Sequence, residues 1–124
     1  MTDKSLTLYG IKTCATCRKA LAELEADGWA VTWVDIRKDA DLNAKLPHWF
    51  DQTAYERLIN KASMTWRNLD EASKKAVVSH AGALAILKAN PTLIKRPVIE
   101  HGQAVYVGWS KDVRAALGFA RDHS

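Results

Sequence analysis

A change of hydrophobic period within the first 35 residues is the feature that most limits the folds open to this chain. Residues Ser5 to Tyr9 alternate in polarity, which predicts a first strand. From Cys14 to Gly28 the apolar residues fall at helical spacing, and the glycine suits the end of a helix. Alternation returns from Trp29 to Asp35 and predicts a second strand. Strand, helix and strand within about thirty residues form a βαβ unit, so the two strands should be parallel.

The middle of the chain, about residues 39–90, has a helical bias and no clear strand pattern. Pro47 and Gly82 are residues that interrupt helices, so we expect several short helices rather than one long helix. The block should end at Asn90, because the residue before a proline resists the helical conformation. The block is therefore an all-helical insertion that follows the β pattern of the first 35 residues.

The β pattern returns near the C-terminus. Residues 98–99 and 104–107, on either side of the His101-Gly102 turn, predict a β-hairpin. Ser110 is a suitable N-cap for a last helix. The order β-α-β, helical block, β-β-α predicts an α/β, thioredoxin-like fold with a helical insertion between its two halves.

Length and composition limit the classes of protein that need to be considered. With 124 residues, 48% of them apolar and 26% charged, the chain is expected to form one globular domain over residues 1–124. The net charge of +4 comes from scattered pairs, without the long basic block of a nucleic-acid-binding arm. No segment has the apolar pattern of a signal peptide or a membrane span. We therefore expect a cytoplasmic protein that binds neither nucleic acid nor membranes directly.

The chemistry of the chain is expected at the motif Cys14-Ala15-Thr16-Cys17, directly after the first strand and at the start of the first helix. Unpaired N–H groups and a partial positive charge at a helix start stabilise a thiolate, which is the nucleophilic form of cysteine. Lys12 and Arg18 flank the motif and should add to this effect. Because the first cysteine of a thioredoxin-like site is the exposed one, Cys14 is the predicted nucleophile. Cys17 lies one turn on, on the buried stripe, and is the predicted resolving thiol.

Two other interpretations of the cysteine pair stay open. Cys17 could be a small core residue with Cys14 as a chance neighbour, although a C-x-x-C beside a βαβ unit is typical of a redox motif. A structural zinc site needs four ligands, and one C-x-x-C supplies two. Since His48, His80 and His101 have no recognised metal-ligand spacing, we expect no metal.

A second candidate region is Leu93-Ile94-Lys95-Arg96-Pro97-Val98, at the start of the third predicted strand. Thioredoxin-like folds place a cis-proline there, facing the cysteine pair, so we expect a cis bond before Pro97. Arg96 would then lie beside Cys14 and could bind an oxyanion with its planar donor groups. A solvent-exposed arginine before a strand is the alternative. Arg67, in Thr65-Trp66-Arg67, could reach the same site from the insertion or could be a plain surface residue.

The segments T-L-Y, C-A-T-C-R-K-A, N-P-T-L-I-K-R-P-V-I and V-G-W-S-K-D-V together resemble the arsenate reductase ArsC/Spx family, over about residues 5–118. The stretch T-W-R-N-L-D looks most like the YffB-type branch, described as glutathione-dependent thiol reductases. The resemblance implies a thioredoxin-like fold with a helical insertion. It also implies a reductase with no bound cofactor, with glutathione as co-substrate and glutathione or glutaredoxin as partner. The substrate would be a disulfide or an arsenate-like oxyanion.

Residue by residue, the resemblance assigns the catalytic cysteine to Cys14, the following arginine to Arg18 and the arginine before the proline to Arg96. At three positions this sequence departs from the glutaredoxin-coupled arsenate reductases. Gly10 stands where they carry a histidine, and two of the three arginines that hold the anion fall near Asn60 and on Gly108.

A regulator is the alternative to an enzyme. Spx-type regulators share the C-x-x-C as a redox switch and bind the alpha subunit of RNA polymerase. A glycine of that contact region aligns with Ala54 in this chain, which favours the reductase.

Overall fold

The computed structural model describes residues 4–119, which divide into two compact units. The first comprises the residues up to Asp35 and those from Arg96 onward, and the second is Ile36–Lys95. The helical insertion predicted at about 39–90 thus extends a few residues further at each end. The predicted single domain over residues 1–124 reaches outside the described residues at both ends and stays a prediction.

The helices and strands follow the predicted order. The strands are β1 (Ser5–Gly10), β2 (Ala30–Asp35), β3 (Val98–His101) and β4 (Ala104–Val107). The α-helices are α1 (Ala15–Ala26), α2 (Leu42–Gln52), α3 (Met64–Asn68), α4 (Glu71–Ala76), α5 (His80–Ala89) and α6 (Lys111–Ala116). Two 3₁₀ turns, Tyr55–Leu58 and Pro91–Leu93, complete the helical unit.

The first unit contains a four-stranded mixed sheet in the order β2-β1-β3-β4. Strand β1 pairs in parallel with β2, with Leu8 opposite Trp33, and antiparallel with β3, with Leu8 opposite Ile99. Strands β3 and β4 form the antiparallel hairpin. The predicted βαβ unit, the hairpin and the α/β, thioredoxin-like fold are therefore confirmed.

The core of the sheet unit forms where α1 and α6 pack on the sheet. Leu8 and Ile99 are fully buried at the centre of the sheet and contact Leu24 of α1 and Val113 of α6 within one cluster. Burying one such side chain stabilises a fold by about 1.5–3 kcal/mol. This packing holds the start of α1 against the end of β1.

In the helical unit, two sequence expectations are wrong. Pro47 lies inside α2 instead of ending it, because buried side chains on both sides of it, Leu46 and Trp49, hold the helix in place despite one missing hydrogen bond. Gly82 lies inside α5, where a Cβ would come within 2.0 Å of the Ala76 carbonyl oxygen. This glycine permits a close turn between α4 and α5 and does not break a helix.

Two backbone hydrogen bonds join the C-terminal end of the helical unit to the middle of that unit. Asn60 donates its N–H to the Leu93 carbonyl at 2.9 Å, and Lys95 donates its N–H to the Leu58 carbonyl at 2.8 Å.

Within residues 4–119, no helix is both long enough and apolar enough to cross a membrane.

Candidate active site

Cys14 is the N-cap residue of α1, with an extended backbone conformation (φ −84°, ψ 118°). Its N–H donates to the Ile11 carbonyl at 2.9 Å, and its own carbonyl accepts from the Arg18 N–H at 3.1 Å. These two bonds fix the residue between the loop after β1 and the first turn of the helix. The side chain is partly exposed, so a substrate sulfur or oxyanion can reach the thiol.

Several groups act on the pKa of Cys14. Partial burial raises it. Hydrogen bonds from the Cys17 N–H, the Cys17 thiol and the Thr16 N–H lower it, and so does the positive charge of Arg96. The net effect is a pKa below the ordinary value of 9.0. The predicted stabilisation by N–H groups at the helix start is therefore present, and it favours the thiolate.

Cys17 has the opposite character. Its side chain is 0% exposed, and burial raises its pKa to about 12. A hydrogen bond from the Ile11 N–H and the charge of Arg96 lower this pKa, while the hydrogen bond to Cys14 and the Cys14 charge raise it. At neutral pH, Cys17 is therefore a protonated thiol that donates a hydrogen bond towards a neighbouring thiolate.

The peptide bond between Arg96 and Pro97 is cis, which confirms that prediction. Pro97 is anchored at the start of the hairpin, since its carbonyl accepts a hydrogen bond from the Gly108 N–H at 2.8 Å. The half-buried Arg96 lies within electrostatic range of both cysteines, because its charge lowers the pKa of each. Its predicted role in binding an anion stays a prediction.

Lys12 and Arg18 have other contacts in this structure. The Lys12 ammonium lies 4.5 Å from the centre of the Trp33 ring, a cation–π distance. The Arg18 Nη1 donates to the Lys12 carbonyl at 2.8 Å. Both side chains thereby brace the loop that carries Cys14, and their predicted help to the thiolate stays a prediction.

Arg67 belongs to the helical unit. It is exposed on α3, where its Nη1 lies 3.6 Å from the Met64 sulfur. Its predicted part in anion binding stays a prediction.

Gly10 is a residue of the site that sequence reasoning noted only as a departure from a family pattern. It is the last residue of β1 and contacts Cys17 directly. A glycine at the end of a strand often marks a close approach, and that signal could have directed attention to it.

Two of the candidate histidines, His80 and His101, pack on aromatic rings. His80 lies edge-on to Phe50 at 4.9 Å, and His101 lies edge-on to Trp29 at 5.1 Å, both measured between ring centroids. Within residues 4–119, no three His, Cys, Asp or Glu residues come together as a group that could hold a metal ion.

Comparison with known proteins shows which family this chain matches. The family model described as the ArsC family matches residues 9–117 of this chain. An uncharacterized protein from Haemophilus influenzae is 42% identical over 114 residues, which cover 90% of this chain and 98% of that protein.

Two solved structures are similar in sequence and fold. A protein named YffB is 36% identical with a TM-score of 0.81, over 90% of this chain and 97% of the other. An arsenate reductase (ArsC) related protein from Brucella melitensis is 33% identical with a TM-score of 0.73, over 96% and 99%.

A regulator is among the more distant relatives. The global transcriptional regulator Spx of Streptococcus pyogenes is 27% identical, over 95% of this chain and 87% of that protein. The resemblance that the sequence motifs indicated is therefore confirmed.

Proposed function

Because this chain belongs to the ArsC family, we propose that it is a thiol-dependent reductase whose nucleophile is the thiolate of Cys14. The observation that carries the proposal is the contrast between its two thiols. Cys14 is accessible and has a lowered pKa, whereas Cys17 beside it is buried and protonated. Such a pair matches the division of labour between an attacking thiol and a resolving thiol.

In the proposed reaction, the Cys14 thiolate attacks one sulfur of a glutathione mixed disulfide. The disulfide bond of the substrate breaks, its other sulfur leaves as a thiolate, and a mixed disulfide forms between Cys14 and glutathione. Either Cys17, after losing its proton, or a second glutathione then attacks this mixed disulfide. Glutathione, used directly or through glutaredoxin, supplies the electrons that return both cysteines to thiols.

Arg96 is the cation that we assign to this chemistry. Its charge already acts on both cysteines, and its guanidinium has the planar donors that bind carboxylates and oxyanions in pairs. We assign it to the anionic part of the substrate. Lys12 and Arg18 support this role by holding the loop before α1.

The test is coupled turnover. Wild type, Cys14→Ser and Cys17→Ser are each supplied with glutathione, glutaredoxin, glutathione reductase and NADPH. A glutathione mixed disulfide and arsenate serve as alternative substrates. Above the rate that glutathione and glutaredoxin give without this protein, we expect NADPH oxidation with the mixed disulfide that Cys14→Ser abolishes and Cys17→Ser only slows. Equal rates in wild type and Cys14→Ser, or no turnover of either substrate by wild type, would contradict the proposal.

The second candidate is a redox-sensing regulator of the Spx type. The observations that favour it are the similarity to Spx and the shared C-x-x-C. In this case, a Cys14–Cys17 disulfide would switch binding to the alpha subunit of RNA polymerase. Retention of the oxidised chain, and not of the reduced chain, on immobilised alpha C-terminal domain would support it. Equal behaviour of wild type and Cys17→Ser in that assay would exclude it.

A further inference from the structure

Gly10 occupies a position where a side chain does not fit. A Cβ built on it would lie 2.7 Å from the Sγ of Cys17, 3.1 Å from Leu8 Cδ2 and 3.2 Å from the Cys17 Cβ. Carbon atoms in good contact are about 3.5–4.0 Å apart. Any residue other than glycine at this position therefore displaces something, and the closest atom is the sulfur of Cys17.

The backbone conformation does not explain why residue 10 is a glycine. Among the described residues, the glycines with positive φ are Gly28, Gly102, Gly108 and Gly118. Gly10, by contrast, is in regular β pairing, opposite Asp35 of β2. Other residues adopt that conformation readily, so the requirement at position 10 comes from space alone.

The Cys17 thiol has little freedom to move away. It is fully buried on the same face of α1 as Ala20 and Leu24, which pack into the core. The sulfur can leave the neighbourhood of Gly10 only by rotation about its single side-chain torsion. That rotation would break its hydrogen bonds with the Ile11 N–H and with Cys14.

We propose that Gly10 is a positioning residue of this site: its missing side chain is the space in which the Cys17 thiol lies, and this placement directs that thiol towards Cys14. The proposal rests on the proposed function of Cys14 as nucleophile and deepens it. Gly10 touches no substrate and acts through Cys17. The role of Cys17 in turn depends on a residue of β1 as well as on its place in the C-x-x-C.

The test is a cycle of four full-length proteins: wild type, Gly10→Ala, Cys17→Ala and the double variant. The quantity measured is the pH dependence of Cys14 alkylation by iodoacetamide, whose midpoint gives the pKa of Cys14. We expect Gly10→Ala to raise this midpoint nearly as much as Cys17→Ala does. At pH 7 the thiolate fraction should fall about threefold or more, which corresponds to about half a pKa unit.

The double variant decides between positioning and a general structural role. If Gly10 acts through the Cys17 sulfur, adding Gly10→Ala to Cys17→Ala leaves the midpoint where Cys17→Ala put it. Additive shifts would overturn the proposal, and so would an unchanged midpoint in Gly10→Ala. If Gly10→Ala fails to fold but the double variant folds, removal of the sulfur has relieved the clash and the proposal is supported. If neither folds, the sulfur is not the decisive contact and the proposal is wrong.

Gly82→Ala is the matched control. This glycine also lacks a positive φ, and its Cβ would meet the Ala76 carbonyl in the helical unit. We expect it to lower thermal stability without moving the Cys14 midpoint.

Because alkylation needs no substrate, the role of Gly10 and the reductase function are tested independently of each other. An inactive enzyme with a non-additive cycle contradicts only the reductase function, and an active enzyme with an additive cycle contradicts only the role of Gly10.

Discussion

The start of α1 in the sheet unit and the helix starts of the helical unit use the same physical feature, the free N–H groups of a first turn, in different ways. In the helical unit, the N-cap side chains of Asp41, Ser63, Asp70 and Ser79 each accept a hydrogen bond from a free N–H of the helix that follows. At α1 the N-cap is Cys14, which lacks such an oxygen. Its sulfur instead faces the free N–H groups of the first turn.

Asp70 and Cys14 make the comparison concrete. Both are acids at a helix start, and N–H groups of the first turn lower the pKa of each. The oxygen of Asp70 takes the Ser73 N–H at 2.7 Å and begins α4 securely. The sulfur of Cys14 is a weaker acceptor, so the same N–H groups favour a reactive thiolate more than they favour the helix. One chain thus uses capped helix starts for stability, including Ser110 at the start of α6, and uses the start of α1 for chemistry.

The largest expected effect comes from making α1 begin like the other helices. Cys14→Ser supplies an N-cap oxygen and removes the nucleophile. We expect turnover of a mixed disulfide to fall by on the order of 10³-fold or more. The free energy of unfolding should stay equal or rise by up to about 1 kcal/mol, since serine is a favourable N-cap. Coupled NADPH oxidation and urea unfolding measure the two quantities, and a marked loss of stability would break the comparison.

The pH dependence of stability should depend on Cys17. Its pKa is raised to about 12 in the folded chain, from an ordinary value of 9.0. The folded state therefore keeps a proton that the unfolded state loses. The corresponding stability is complete below pH 9 and is lost as the pH rises towards 12, by about 1.4 kcal/mol per pH unit. Urea unfolding from pH 8 to 11 should show this loss in wild type. Cys17→Ala should not show the part of this loss that comes from the Cys17 proton. If the free energies of unfolding of the two proteins fall in parallel with pH, Cys17 does not contribute to the loss.

A smaller effect is expected at a capped helix. Ser79→Ala removes the hydroxyl that accepts the Gly82 N–H at 3.0 Å at the start of α5. The free energy of unfolding should fall by about 1 kcal/mol. The alkylation profile of Cys14 should be unchanged, because this cap serves only its helix. A shifted profile would show that the two helix starts are not independent.

The smallest effect is expected for Asp70→Asn, which keeps a capping oxygen and removes the titration. The pKa of Asp70 is lowered from 3.8 by its hydrogen bonds with Ser73. Its charge therefore contributes stability above the ordinary pKa, and this is lost as the pH falls through the lowered value. Thermal unfolding at pH 7 and pH 2 should show a small deficit of the variant at pH 7 that disappears at pH 2. A deficit that persists at pH 2 would indicate a lost cap rather than a lost charge.

Much of the sheet unit could be predicted from the sequence, because its elements follow regular periods. The alternation of β1 and the helical stripe through Cys17 define the βαβ unit, and the position of Pro97 predicts the cis bond and the neighbourhood of Arg96. The structure of the helical unit was harder to predict from the sequence. Pro47 and Gly82 read locally as helix breakers, yet packing around the first and a close carbonyl near the second decide their places.

The residues of the site could be predicted from the sequence, but their pKa shifts and mutual contacts could be predicted less well. The helix start explains why Cys14 favours a thiolate, and sequence alone indicated that much. The helical stripe predicted that Cys17 is buried, and its side chain is 0% exposed. How far that burial raises its pKa depends on how tightly α1 packs against the sheet, which no local pattern reports. The contact with Gly10 joins residues seven apart, in a strand and a helix, and only a three-dimensional distance reveals it.

The unequal exposure of the two thiols also determines how this protein meets a bulky electrophile. Cys17 presents no surface, while Cys14 is open to solvent and is ionised more readily. Towards a maleimide dye or an activated-thiol resin, the folded chain therefore has one addressable cysteine. A label can be attached at the start of α1 without engineering, and the second thiol becomes countable only on unfolding.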